Sequence, residues 1–116
     1  MSDEFCESLN ETCGVAIGDG YVVPFCGACP VQGYGQIDGH FCYFRARHDS
    51  WRVEVFAEGA GVTEQNYVSK WCDDGVRPVF THHGDAENSG WQPAACSIAQ
   101  IEEAAAAFRE WASNNT

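Results

Sequence analysis

Apolar and polar residues alternate through three consecutive runs in the middle of the chain, and a two-residue period marks strands with one buried face. Val31 to Ile37, His40 to Arg47 and Trp51 to Glu58 are separated by Asp38-Gly39 and Asp49-Ser50, which predicts a three-stranded antiparallel meander. Asp38-Gly39 suits a two-residue hairpin turn, because both central residues of that turn need positive φ. In this register Arg47 faces Arg52, and Glu54 faces Arg45. One face carries Val31, Ile37, Cys42, Phe44, Ala46, Trp51, Val53, Val55 and Ala57 and forms the core. The other carries Gln32, Tyr34, Gln36, Phe41, Tyr43, Arg45, Arg47, Arg52, Glu54, Phe56 and Glu58. A one-residue slip would exchange the two faces, so the assignment tests the register.

Shorter signals flank the meander. Cys13 to Ile17 and Tyr21 to Phe25 read as an N-terminal hairpin around Gly18-Asp19-Gly20, with Pro24 favouring an edge position for the second run. Thr63 can cap a short helix over roughly residues 64–72. Val76 to Thr81 reads as an edge strand, and residues 82–92 as a polar loop. A final helix opens at Pro93 or Ser97, with Ser97 and Gln100 as a capping box. Its Ile98, Ile101, Ala105, Phe108 and Trp111 keep helical spacing and would cover the apolar face of the meander. The expected fold is α+β, a single domain over residues 1–116 with residues 1–12 as a polar, acidic lead-in.

Charge narrows the partners. The chain has 17 Asp+Glu against 6 Lys+Arg, a formal net charge of −11. That balance disfavours direct contact with a nucleic-acid backbone or an anionic membrane, both of which call for a basic footprint. The N-terminal residues lack the basic and apolar stretches of a signal peptide, so a cytoplasmic location with reduced thiols is expected. Seven cysteines is an odd number, which disfavours a closed disulfide framework.

Three constellations could carry chemistry. Cys26 and Cys29 have the spacing that grips a tetrahedral zinc. His48, opposite Cys29 in the meander register, is the better third ligand, and Cys72, His82 or His83 would supply the fourth. As a redox motif the pair lacks a following helix to lower a thiol pKa. Arg45, Arg47 and Arg52 share one face with Tyr34, Tyr43 and Phe56, where a nucleotide or other small anion could be held by charge pairing and stacking. The same face can instead be covered by the short helix, leaving a rim of charges. Finally, the acidity itself suits a protein that occupies a basic, nucleic-acid-binding site on a partner, as small virus-encoded inhibitors do. No nucleophile with a partnered base is evident, so a binding protein is expected rather than an enzyme. Of the two main readings, the acidic inhibitor comes first and the anion binder second. A zinc-stabilised structural module is the third.

Overall fold

The computed structural model describes residues 11–115. Nearly all of the acidic lead-in, with Cys6, lies outside these residues. Six strands form one antiparallel sheet in chain order: β1 (Gly14–Gly18), β2 (Tyr21–Cys26), β3 (Val31–Ile37), β4 (His40–Arg47), β5 (Ser50–Val55) and β6 (Phe80–Asp85). A short helix, α1 (Tyr67–Cys72), lies in the connection between β5 and β6, and a long one, α2 (Ala94–Asn114), ends the chain. The arrangement is α+β, as the alternation implies.

The first meander hairpin is as expected. Val31 pairs with Ala46 and Ile37 with His40, and Asp38 and Gly39 both take positive φ in the turn. The second hairpin is shifted. Its turn is His48-Asp49, so Arg47 pairs with Ser50 and Arg45 with Arg52. The segment after β6 accounts for the shift. Ser89 bonds the carbonyls of His48 and Ser50 through its hydroxyl, Ala86 N–H donates to the carbonyl of Asp49, and the Asp49 carboxylate accepts Asn88 N–H. These contacts grip the turn one residue earlier than the local sequence suggests. Moving a turn by one residue changes cross-strand partners by two, and a two-residue change keeps every side chain on its face.

The core face is therefore as read from the alternation. Val31, Ile37, Cys42, Phe44, Ala46, Trp51, Val53 and Val55 are all buried, and burial pushes the Cys42 thiol up to about 12. Ala57 is the exception: β5 ends at Val55, and Ala57 is exposed. Helix α2 lays Ile101, Ala104, Ala105 and Phe108 on this face. Ser97 does not cap it. The helix begins after Pro93, and the Ser97 hydroxyl instead accepts a hydrogen bond from buried Gln92. Gln92 and Gln100 add a reciprocal pair of amide bonds.

Two further differences have physical causes. Pro24 sits in an interior strand rather than at an edge, between β1 and β3. The close approach there depends on Gly33 and Gly35, where a Cβ would run into the carbonyls of Pro24 and Val22 respectively. The last strand covers Phe80–Asp85, later than the apolar run suggests, so His82 and His83 lie in a strand rather than a loop. They point to opposite faces: His82 pairs with Glu103 of α2 at 2.7 Å, while His83 is exposed on the outer side.

Near its far end α2 is tied to two turns. Arg109 forms a bidentate pair with the Asp38 carboxylate, 2.9 Å on each arm, and donates to the carbonyl of Asp19. These hydrogen bonds hold the Asp38 carboxyl below the usual carboxylate range despite a smaller opposing effect of burial. A depressed folded-state pKa contributes stability fully present above about pH 4, the ordinary Asp value, and lost as the pH falls through the folded value. The side chains are 40% and 38% exposed, so the contribution stays below about 1 kcal/mol. Asp38→Asn keeps a residue that tolerates positive φ and removes the charge. It is expected to lower the melting temperature at pH 7, by an amount that shrinks as the pH drops below 4. A pH-independent loss would place the effect in the turn and not in the ion pair.

Candidate anion-binding groove

The outer face of the sheet is built from the register. Gln32 lies beside Arg45, Arg45 beside Arg52, and Arg52 beside His83, a row that crosses β3 to β6. The next row is Arg47, Ser50 and Asp85. A groove of about 240 Å³ runs between the two rows, lined by Arg45, Arg47, Ser50, Arg52, His83 and Asp85. Three of the six Lys and Arg residues of the chain thus meet in one place.

Their partners differ. Arg52 Nε donates to Glu54 Oε2 at 3.1 Å, and Glu54 is buried at 4% exposure. The other carboxylate oxygen of Glu54 accepts the Tyr67 hydroxyl at 2.5 Å. Burial, with this carboxylate beside it, raises the Tyr67 pKa well above its ordinary value. Arg45 and Arg47 make no ion pair with a carboxylate among the described residues. Arg45 also stands directly opposite Arg52, where like charges repel.

The aromatic residues of this face are covered by the connection after β5. Tyr67 of α1 packs 4.7 Å from Tyr43 and 5.9 Å from both Tyr34 and Phe56, measured between ring centroids. Phe56 is 1% exposed, so it is a support for this cluster and reaches no ligand. Tyr43 is also buried, its hydroxyl donating to Gln32 Oε1 at 3.0 Å, and offers only a wall. Tyr34 is half-buried and faces a different cavity of about 360 Å³ with Phe41, Glu58 and Glu64. Of the ligand residues expected from sequence, the three arginines line one groove, while Tyr34, Tyr43 and Phe56 pack against Tyr67 of α1 and lie outside that groove. His83 and Asp85 are the additions. Beyond Thr81, where the expected edge strand ends, His83 and Asp85 add no apolar residue, so no period-two signal marked them as strand.

The proposed zinc ligands are not brought together. Cys26 is joined to Cys13 in a disulfide and has no thiolate to offer, a pairing the odd cysteine count had not favoured. Cys29 packs against Gly90, and Cys72 is exposed at the end of α1 on the outer face. Among the described residues no group of three or more His, Cys, Asp or Glu could hold a metal ion. No described helix is long and apolar enough to cross a membrane.

No family model, curated protein or solved structure matches this chain.

Proposed function

We propose that this chain is a small binding protein that takes an anionic group, phosphate above all, in the groove between Arg45, Arg47, Arg52 and His83. One observation carries the reading: in a chain of net charge −11, two guanidinium groups without a described carboxylate partner flank a cavity beside a third. Guanidinium groups recognise phosphate and carboxylate through paired, charge-assisted hydrogen bonds. Placing one opposite another carries a stability cost, and a bound anion removes that repulsion. The alternative reading, an acidic protein occupying a basic site on a partner, draws on net charge alone. The described carboxylates are spread over hairpin turns, the residues that follow α1 and helix α2, for example Asp19, Asp49, Asp73, Asp74, Glu102 and Glu110.

The test is Arg45→Gln. Its free fold should melt slightly higher than the parent, by the equivalent of about 0.5 kcal/mol, because a like-charge pair is removed. Phosphate affinity measured by calorimetry should fall about 10-fold or more, the value of one charge-assisted contact. Unchanged phosphate affinity, or no phosphate binding by the parent at matched ionic strength, would overturn the reading.

A further inference from the structure

A second cavity adjoins the groove. It measures about 260 Å³, shares Arg45 and Arg52 with the first, and is otherwise walled by Tyr43, Tyr67, Val68, Trp71 and Cys72. Each cavity alone falls short of the roughly 300 Å³ at which small-ligand sites begin, and joined they pass it. The two halves differ in chemistry: one is cationic, the other aromatic and aliphatic. Trp71 is held in place from one side. The Arg77 guanidinium stacks over its ring at 4.0 Å while donating to the Trp71 carbonyl at 2.9 Å. Val68 is 66% exposed, an apolar side chain left uncovered at the mouth of the cavity.

Resting on the anion-binding reading, we propose that the ligand is a nucleoside monophosphate, with its phosphate on Arg45, Arg47 and Arg52 and its base in the pocket of Val68 and Trp71. The planar base gains dispersion and stacking against these walls, which accept any base because every base has a π-face. The charge balance selects one phosphate. Three guanidinium groups stand against the carboxylates of Glu54 and Asp85, which leaves one net positive charge, a match for the small charge of a single phosphate group and far short of a triphosphate. A polynucleotide is disfavoured by the net charge of −11 over the whole chain.

Calorimetric titration of the full chain with inorganic phosphate, adenosine and adenosine 5′-monophosphate tests this. The monophosphate should bind about 10-fold or more tighter than inorganic phosphate, the contribution of one base-stacking contact. Trp71→Ala should reduce it to the level of phosphate while leaving phosphate affinity as it was. Val68→Ser removes the aliphatic wall at an exposed residue without adding charge beside Arg45 and Arg52, and should weaken the monophosphate but not phosphate, without a burden on folding. If phosphate binds and the monophosphate binds no tighter, the nucleotide inference fails and the anion site stands. If neither binds, both fail. Adenosine binding as tightly as its monophosphate would also overturn the inference, since the arginines would then contribute nothing.

Discussion

Phe108→Ala is expected to cost about 3–5 kcal/mol of folding stability, the usual range for deleting a buried ring. The residue is 2% exposed, with ring centroids 5.0 Å from His40, 5.6 Å from Phe80 and 5.9 Å from Trp111. It is the point at which α2 meets both β4 and β6. The space it leaves cannot readily close, because the helix is fixed on either side of it. Gln92, Ser97 and Gln100 bind its first turns, and Arg109 anchors its far end to Asp38 and Asp19. Domains are stable by only about 5–15 kcal/mol, so this loss is a large share of the total. Urea denaturation measures it. A companion Phe108→Leu variant keeps most of the volume and should lose much less. If the alanine variant loses under about 1.5 kcal/mol, α2 is not packed on the sheet in the way described.

Glu54→Gln is expected to move stability and binding in opposite directions. The carboxylate is buried, bonded on one oxygen by Arg52 and on the other by Tyr67. Glutamine has one carbonyl oxygen. If that oxygen faces the Tyr67 hydroxyl, its amide N–H₂ faces the Arg52 N–H, and two donors are left in conflict. A buried donor without an acceptor costs about 1–3 kcal/mol, and a charged donor lies toward the upper end. Arg52 is 42% exposed and recovers part of its loss through water, so a net cost of about 2 kcal/mol is expected. The released guanidinium no longer shares its charge with a carboxylate. Phosphate affinity should therefore rise several-fold, about the worth of a partly screened ion pair. Denaturation and calorimetry on the same sample check both halves. A fall in stability with unchanged affinity would show that Arg52 takes no part in holding the anion.

Legibility differed from element to element, for identifiable reasons. The hairpin at Asp38-Gly39 was readable because the turn chemistry is local: two positive-φ positions, filled by Asp and Gly. The next turn was not, since His48-Asp49 and Asp49-Ser50 are comparable locally and the choice is made by Ala86, Asn88 and Ser89, distant in sequence. The error left the faces intact and exchanged the partners: Arg45, and not Arg47, stands opposite Arg52, and Glu54 faces Tyr43. The strand at Phe80–Asp85 has no alternation of its own and is defined by the ladder with β5. The cysteine pairing was equally hidden, because Cys13 and Cys26 are matched only once β1 and β2 are aligned. The arginine cluster was legible as composition and spacing. Coverage of Tyr43 and Phe56 by the short helix was one of two readings open from the sequence, and the packing of Tyr67 on both rings decides it.

In this sheet, neighbours in space are neighbours in the chain, and that ordering carries over to kinetics. Each of β2 to β5 closes only a short loop onto its predecessor, at small entropic expense, so the meander can zip outward from the Asp38-Gly39 hairpin. β6 alone must wait for residues 56–79 to loop back, the largest closure between paired strands. His83 and Asp85 arrive on that late strand, as does the grip on the His48 turn that sets Arg45 against Arg52. Nascent or partly folded chains thus have an incomplete charge row, and the groove exists only once the last strand has docked.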